Sequence, residues 1–552
     1  MMNRGMFLLV AVSVALMVSG TWAGPIGPEL LVSNSTDAQW KSSIDMDETG
    51  SFVIAWEVFN YSGGGNFDIY AKRFDSSGTA VGSEFRVNTQ TWEDQTDVAV
   101  GMTPSGNFVI VWQGDLSDGN EFDVYAQRYN SSGMALGSEF VVNTYRNSSQ
   151  EEPSIAMDGS GNFVIAWESA YQDGFSRGVY AQRYDAAGLA LGSEFQVNTY
   201  TTSAQGKPSV GMDLEGNFVI AWESSAQDGD YYGIYAQRYD ALGNVQGAEF
   251  QVNTYTTGSQ SEPSVGMSSS GGFVIAWEGS GQDGDLDGIY AQRYDASGSE
   301  LGGEFQVNTY TADYQENPSV GMDGSGNFVI AWHSNGQDGN LDGVFAQRYS
   351  SSGVAQGSEF QVNTQTAGYQ GFAAVGMNGP GNCVITWTSV DEATFPSYIY
   401  AQRYEPEIAP PSTDMISAAS SSITEGGTLA FDVTFSVPVT GVDISDFALF
   451  ITGDITGASI LSVTGSGSEY TVLVGNVAGD GTLRLDLIDD DSIVDGGGNP
   501  LGGSGIGNGD FTAGEAYHVV PELPIAVWPM VLILLAAGLV VLHKRRKAGQ
   551  VS

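Results

Sequence analysis

The sequence has few of the residues that build disulfides and metal centres. Among 552 residues there is one cysteine, Cys383, and there are three histidines. A single cysteine excludes an intramolecular disulfide, and Cys383 stands where most other repeats (described below) have Phe, which predicts a buried hydrophobe. His333, His518 and His543 are too far apart for metal-ligand spacing. The sequence shows no nucleophile motif or phosphate-binding loop either, so it predicts no catalytic residue.

Positive charge is also scarce. The chain has 19 Lys and Arg against 65 Asp and Glu, and its net charge is −46. Such a surface repels nucleic acid and anionic lipid headgroups and attracts cations. Nucleic acid is therefore excluded as a partner. The acidity fits a cation-binding surface and a merely soluble surface equally well.

Glycine and aromatic residues are abundant. The 74 Gly, 25 Tyr and 26 Phe, with only 15% charged residues, favour an all-β protein of short strands and tight turns. A chain of this length is too long for one core and predicts two or more domains.

Both ends of the chain are apolar. Residues 1–23 combine Arg4, an apolar run and a small-residue end, which predicts a signal peptide; the alternative is an uncleaved anchor. Residues 523–542 form an uncharged apolar stretch that would span roughly 30 Å as a helix. The basic cluster 543–547 follows, so the tail should stay cytoplasmic. We therefore expect an exported protein that is anchored in a membrane or held at the cell surface.

Internal repetition is the strongest signal in the sequence. Three residue types recur at intervals of 55, with one extra residue in the first Trp interval. They are Trp56, Trp112, Trp167, Trp222, Trp277, Trp332 and Trp387; Arg73, Arg128, Arg183, Arg238, Arg293, Arg348 and Arg403; and Glu29, Glu84, Glu139, Glu194, Glu249, Glu304 and Glu359. Chance does not produce three such series.

Each repeat predicts four strands, here called a to d. In the fifth repeat they cover 263–267, 273–278, 289–295 and 304–308. Seven such units predict a seven-bladed β-propeller over residues 24–405. The array begins with an unaccompanied d-type run at 29–32 and ends on a strand c, so we expect the N-terminal strand to complete the last blade. The alternative, a linear solenoid, would leave that strand unpaired.

Residues repeated in every blade are interpreted as architecture. Because the Arg lies on strand c and the Glu begins strand d, we expect Arg–Glu pairs in each blade; the alternative is that the arginines bind anions. A series of methionines is expected in the core: Met46, Met102, Met157, Met212, Met267, Met322 and Met377.

Function is expected where the blades differ, on the face formed by the b–c and d–a loops. Exposed aromatic side chains beside polar groups suit stacking on a sugar or contact with a protein, although they could also pack loop against loop. The candidates are Tyr200, Tyr231, Tyr232, Tyr255, Tyr310, Tyr314 and also His333, which replaces a Glu found in four other repeats.

The b–c loops also carry candidate calcium ligands. Alternating carboxylate and amide oxygens ended by Gly let a loop wrap around Ca²⁺, and the spacing resembles the calcium loops of integrin-type propellers. The residues are Asp283, Asp285 and Asp287, with Asp338, Asn340, Asp342, Asp228 and Asp230 in the neighbouring repeats. The alternative is a set of plain acidic turns.

The C-terminal region predicts a stalk and a sorting segment. A Pro-rich linker at 406–413 precedes alternating short strands at 414–518, which indicate a β-sandwich. The stretch 485–501 resembles immunoglobulin-like modules of bacterial surface proteins. The segment 521–547, with Val520-Pro-Glu-Leu-Pro524 at its start, resembles the PEP-CTERM sorting signal of Gram-negative bacteria, although Leu523 interrupts the usual V-P-E-P motif. The resemblance implies exosortase cleavage near Pro521 and transfer to the cell surface.

These features favour a bacterial cell-surface binding or adhesion protein without catalysis. Its loop face would bind a glycan or an extracellular protein, with Ca²⁺ as a structural ion. An extracellular carbohydrate-active enzyme that uses His333 and loop carboxylates is one alternative. The chain does not contain the S-x-D-x-G-x-T-W box of sialidases. A structural component of a surface layer or biofilm is another alternative.

Overall fold

A computed structural model describes most of the chain, as two compact units, Met1–Glu407 and Ile408–Ser552. The described residues are 24–33, 35–61, 64–115, 121–390, 396–405, 412–418, 422–424, 427–495, 499–502 and 507–520. The predicted signal peptide, most of the linker and the predicted anchor lie outside them. In the part that is described, no helix is long and apolar enough to cross a membrane.

The described part of the first unit consists of seven four-stranded antiparallel sheets. The strands are β1 (Ile26–Leu31), β2 (Ala38–Met46), β3 (Phe52–Asn60), β4 (Asn66–Phe74), β5 (Phe85–Arg86), β6 (Gln95–Met102), β7 (Phe108–Asp115), β8 (Phe122–Tyr129), β9 (Phe140–Val141), β10 (Gln150–Met157), β11 (Phe163–Ala170), β12 (Arg177–Tyr184), β13 (Phe195–Gln196), β14 (Gln205–Met212), β15 (Phe218–Ser225), β16 (Tyr232–Tyr239), β17 (Phe250–Gln251), β18 (Gln260–Met267), β19 (Phe273–Ser280), β20 (Asp287–Tyr294), β21 (Phe305–Gln306), β22 (Gln315–Met322), β23 (Phe328–Asn335), β24 (Asp342–Tyr349), β25 (Phe360–Gln361), β26 (Tyr369–Met377), β27 (Cys383–Val390) and β28 (Ser397–Tyr404). Sheets 1 to 6 take four consecutive strands each from β2 onward, and sheet 7 contains β26, β27, β28 and β1. The prediction of four-stranded repeats is confirmed.

Strand b is apolar on both faces because each sheet packs between two others. In β15, Ile220 and Trp222 share a core cluster with sheet 3, whereas Val219 and Ala221 belong to the cluster shared with sheet 5. The seven repeated tryptophans are at most 1% exposed. Cys383 is fully buried at the equivalent of a Phe, as expected, and burial raises the pKa of its thiol to about 12.

The sheets follow one another in a closed cycle. The first strands contact in the order β2, β6, β10, β14, β18, β22 and β26, and β26 contacts β2. Strand β1 pairs with β28, with Leu30 opposite Ala401. The N-terminal strand therefore completes the last sheet, as predicted, and the unit has a propeller-like repeat fold.

The predicted Arg–Glu pairs are wrong, because both residues reach into a neighbouring sheet. Arg183 Nη2 donates to the carbonyl of Ala241 in the c–d turn of the next sheet, at 2.7 Å. Glu249 accepts from the backbone N–H of Thr199 in the preceding sheet, also at 2.7 Å. Arg73, Arg128, Arg238, Arg293 and Arg403 make the same kind of turn contact. These six Arg side chains therefore connect consecutive sheets, and turn carbonyls occupy their guanidinium groups.

The second unit contains two four-stranded sheets around one apolar core. Its elements are β29 (Thr413–Ala418), β30 (Ser422–Thr424), β31 (Leu429–Thr440), a 3-10 helix (Ile444–Asp446), β32 (Phe447–Gly453), β33 (Ser459–Gly475), β34 (Gly481–Leu487), β35 (Val494–Asp495) and β36 (Ala516–Val520). One sheet has the order β29-β31-β33 with β35 beside β31, and the other β30-β36-β34-β32. Phe431 and Leu485 are fully buried between them. The immunoglobulin-like character stays a prediction.

Candidate functional site

The innermost strand of every sheet has a bulge near the loop face. At this bulge one residue has a left-handed backbone, with φ between 38° and 54°, and strand a changes its register against strand b. We call these seven residues the mouth ring: Lys41, Asp97, Glu152, Lys207, Glu262, Asn317 and Phe372. They are half-buried, and all but the first follow one another at 55-residue intervals.

No member of the mouth ring is glycine, although the chain has 74 glycines. Elsewhere the repeats place glycine at recurring left-handed positions, such as Gly78 and Gly133. A non-glycine residue in this conformation costs on the order of 1–2 kcal/mol. The side chains of the mouth ring are therefore present against the local backbone preference, and their identity differs from sheet to sheet.

Five consecutive members of the ring, Lys41, Asp97, Glu152, Lys207 and Glu262, form an arc of two cations and three carboxyl groups. Lys41 Nζ lies 2.5 Å from Asp97 Oδ1, and Lys207 forms an ion pair with Glu262. Burial and the charge of Asp97 raise the pKa of Glu152, whereas Lys41 and Lys207 oppose that rise. Burial alone would lower the pKa of Lys41, but Asp97 and Glu57 hold it above its ordinary value.

A second row of side chains, at the end of strand b, supports the mouth ring from the preceding sheet. Asp97 N donates to Glu57 Oε1 at 2.8 Å, and Glu152 N donates to Gln113 Oε1 at 2.8 Å. Burial, followed by the charge of Asp97, raises the pKa of Glu57 to about 8. Burial raises the pKa of Glu168 to about 7, against the opposing charge of Arg177. We call this the supporting row: Glu57, Gln113, Glu168, Glu223, Glu278, His333 and Thr388.

His333 is part of an aromatic sector that belongs to sheets 6 and 7. Its ring centroid lies 6.2 Å from that of Phe372 and 6.3 Å from that of Tyr369, and its Nε2 lies 3.2 Å from Glu316 Oε2. His333 is only 4% exposed, so its predicted place on the open loop face is wrong. The side chain is buried because strand b directs it towards the next sheet, where it packs behind Phe372.

The predicted tyrosines divide into exposed and structural ones. Tyr231 is 68% exposed and Tyr314 is 43% exposed. Tyr200, Tyr255 and Tyr310 are half-buried at equivalent positions, and Tyr232 is half-buried at the start of β16. The carbonyls of Tyr200, Tyr255 and Tyr310 accept from Asn198, Asn253 and Asn308. These carbonyl contacts belong to the repeated architecture, and the tyrosine side chains stay candidates for the binding face.

The carboxylates of the predicted calcium loops point to separate partners. Asp283 Oδ1 accepts from Asp285 N at 3.1 Å and its Oδ2 from Gln306 Nε2 at 3.2 Å, while Asp285 Oδ2 accepts from Asp313 N at 3.3 Å. Burial raises the pKa of Asp287, and a hydrogen bond from Ser280 opposes that rise. The equivalents Asp228, Asp230, Asp338, Asn340 and Asp342 are held by similar loop contacts. Across the described residues no three acidic, His or Cys side chains converge on a metal position, and calcium stays a prediction.

The repeated methionines lie at the other end of the ring axis, near the a–b turns. With Val210, Val265 and Asp45 they line a cavity of about 540 Å³. Met46 and Met102 are buried and the other five are half-buried. The five half-buried methionines pack against the core clusters between the sheets, so the repeated methionines belong to the core and also face this cavity.

Comparison with known proteins gives similarity of overall structure only. No family model and no curated protein matches the sequence. A protein of unknown function from Dyadobacter fermentans is 10% identical, with a TM-score of 0.43 over 57% of this chain and 95% of that one. An α-L-arabinanase from Penicillium chrysogenum in complex with arabinobiose is 13% identical, with a TM-score of 0.41 over 58% and 97%. An endo-arabinase from Bacteroides thetaiotaomicron is 15% identical, with a TM-score of 0.29 over 46% and 93%. Similarities at this level assign no function.

The mouth ring was missed in the sequence although a signal for it exists. A glutamine recurs two positions before every member of the ring: Gln39, Gln95, Gln150, Gln205, Gln260, Gln315 and Gln370. These glutamines are at most 2% exposed. The constant glutamine marks a conserved backbone position in each repeat. The variable residue two positions later marks a site where the repeats differ in side chain.

Proposed function

We propose that the first unit is a closed seven-bladed propeller whose mouth ring binds an extracellular carbohydrate. The observation that carries the proposal is the absence of glycine from seven left-handed positions in a glycine-rich chain. These side chains are kept although the backbone conformation disfavours them, and they differ from blade to blade. We therefore assign them a role other than maintaining the repeated fold.

The composition of the ring suits a sugar. Phe372 offers an aromatic face for stacking, and Trp40, next to Lys41 in the chain, is also half-buried. Carboxylates, two ammonium groups and the amide of Asn317 can accept from or donate to sugar hydroxyls. Concave sites with a few polar groups around an apolar contact are typical of small-ligand binding.

Export and anchoring complete the proposal. Residues 1–23 would direct export, 523–547 would anchor or sort the chain at the bacterial cell surface, and the second unit would act as an immunoglobulin-like stalk. The apolar run 523–542 and the basic cluster behind it support this arrangement. A structural Ca²⁺ in the b–c loops belongs to the same proposal.

A glycan array tests the binding proposal. The full-length chain is expected to bind a subset of glycans, and the Phe372→Gly variant is expected to lose that binding while it stays folded. A chain that binds no glycan, or a variant that binds as well as wild type, contradicts the proposal. In the first case a passive structural role at the surface becomes the better account.

Cleavage of the bound carbohydrate is a second candidate function. A carboxyl group with a pKa near neutrality can act as a general acid, and burial raises the pKa of Glu168 to about 7. Glu168 is 4% exposed and carries an ion pair with Arg177, so it would need to open towards the mouth. Turnover of a polysaccharide that is lost in Glu168→Gln or His333→Ala would establish this function, whereas turnover that persists in both variants would exclude these residues.

A further inference from the structure

The charged groups around the mouth ring indicate which class of carbohydrate the proposed site prefers. In and directly around the mouth ring lie nine carboxyl groups and three cationic side chains. The carboxyl groups belong to Glu57, Asp97, Glu151, Glu152, Glu168, Glu223, Glu262, Glu278 and Glu316, and the cations are Lys41, Arg177 and Lys207.

All three cations are already engaged. Lys41 is paired with Asp97, and Lys207 with Glu262. Arg177 Nη2 lies 3.3 Å from Glu151 Oε2 and its Nη1 contacts Glu168. Among the described residues around the mouth ring, no unpaired cation remains that could neutralise the other carboxyl groups.

Several carboxyl groups remain without a cationic partner. Glu278 accepts only neutral donors, from Ser261 Oγ at 2.8 Å and Asn317 N at 3.3 Å. Burial raises the pKa of Glu278, and it raises those of Glu223 and Glu152 although nearby Lys and Arg side chains oppose the rise. A cation delivered by a ligand would compensate them.

The aromatic sector contains polar atoms that the protein itself does not satisfy. His333 is 4% exposed and its Nδ1 has no hydrogen-bond partner among the described residues. Thr388 is fully buried with an unpartnered Oγ1, and it lies across the sheet from Gly371, the neighbour of Phe372. Leaving such groups unsatisfied is costly, and both lie next to Phe372, the one aromatic member of the mouth ring.

We infer that the mouth ring selects sugar chains that carry protonated amino groups over neutral and anionic ones. The inference rests on the proposed carbohydrate site. The carboxyl excess would attract the amino group, and Phe372 would stack on the sugar ring. A uronic sugar would add a further carboxyl group to a site where carboxyl groups already outnumber cations by nine to three.

Three oligosaccharides of equal length test the inference by titration calorimetry with the full-length chain: oligoglucosamine, its fully N-acetylated form, and oligogalacturonate. We expect oligoglucosamine to bind about tenfold more tightly than the acetylated form, and oligogalacturonate to bind most weakly. Glu152→Gln should reduce the tenfold preference several-fold. Glu300→Gln makes the same charge change at an exposed c–d turn and should leave it unchanged.

The outcomes separate the two proposals. Equal or tighter binding of the acetylated chain, or tightest binding of oligogalacturonate, overturns the charge inference and leaves carbohydrate binding intact. A preference that Glu300→Gln weakens as much as Glu152→Gln also overturns it, since the effect would then come from net charge. Binding of none of the three overturns it together with the proposed site.

Discussion

The Arg403 guanidinium in the last sheet donates to the carbonyl of Ser77 in the first sheet, at 2.5 Å and across 326 residues of chain. Arg183 makes the same kind of contact to Ala241 within the array. The closing junction therefore uses the contact that joins consecutive sheets elsewhere, in addition to the pairing of β1 with β28.

Removing the closing contact should cost as much as removing an internal one. Arg403→Gln and Arg183→Gln are each expected to lower the free energy of unfolding by about 1–2 kcal/mol, because each loses charge-assisted hydrogen bonds to turn carbonyls. Urea denaturation measures both. An Arg403 variant as stable as wild type, beside a destabilised Arg183 variant, would show that the ring is open in solution.

Two glycines in one c–d turn separate backbone strain from side-chain crowding. Gly133 and Gly137 have φ values of 81° and 82°, but a Cβ on Gly133 would lie 2.8 Å from Arg73 Cδ, whereas a Cβ on Gly137 would meet nothing within 4 Å. Gly137→Ala should cost about 1 kcal/mol from strain alone, and Gly133→Ala about 1–2 kcal/mol more. Equal losses in thermal unfolding would contradict the inter-sheet role of Arg73.

The buried Glu57 should make stability depend on pH. In the unfolded chain its carboxyl has the ordinary pKa of 4.5, and burial raises the pKa to about 8 in the folded chain. Between these values the folded chain binds more protons, so its stability falls as pH rises. Glu57→Gln should remove part of this fall and stabilise the chain at pH 8 by about 1–2 kcal/mol.

Gln113 provides the matched control for Glu57, because it holds the equivalent position with the same hydrogen bond to the next strand. Gln113→Glu should make the stability of the chain fall further as pH rises. Melting curves of the two variants with identical pH profiles would disprove the assignment.

Phe372 should lower the stability of the folded chain because of its backbone conformation. Its φ of 54° disfavours a bulky residue, so Phe372→Gly is expected to leave the melting temperature unchanged or raise it, despite the loss of its contact with His333. Phe345→Gly, at a buried strand position, should lower it strongly. A Phe372 variant destabilised as much as the Phe345 variant would show that Phe372 is needed for packing.

Calcium is tested by melting the chain with and without a chelator. Asp283→Asn and Asp338→Asn serve as variants of the loops concerned. A ligand of the native state raises the melting temperature, so the chelator should lower it in wild type and less in the variants. An unchanged temperature in wild type excludes a structural calcium ion.

The sequence predicted the sheets well because their signals are local. The Trp series marks strand b, and the unaccompanied run at 29–32 with the missing last strand d gives the pairing of β1 with β28. The partners of Arg183 could not be predicted in the same way. They are backbone carbonyls 58 and 59 residues away, and any residue supplies a carbonyl.

The candidate site was harder to predict for a related reason. A left-handed bulge normally shows itself as glycine or asparagine, but here Lys207 and Glu262 occupy it and read as ordinary strand residues. His333 is a candidate in the sequence because it differs from the Glu of other repeats, yet the direction of its side chain depends on the neighbouring sheet. The sequence difference at His333 therefore points to the right sheet but does not show which way the side chain faces.

The most direct test of the central claim compares how substitutions at the two ends of the ring change the affinity for a sugar. Oligoglucosamine is titrated into wild type, Phe372→Gly and Leu189→Ala; Leu189 is 66% exposed at a c–d turn. We predict at least about a tenfold loss of affinity in the Phe372 variant and none in the Leu189 variant. Wild-type affinity in Phe372→Gly, or a comparable loss in Leu189→Ala, would contradict a binding site at the mouth ring.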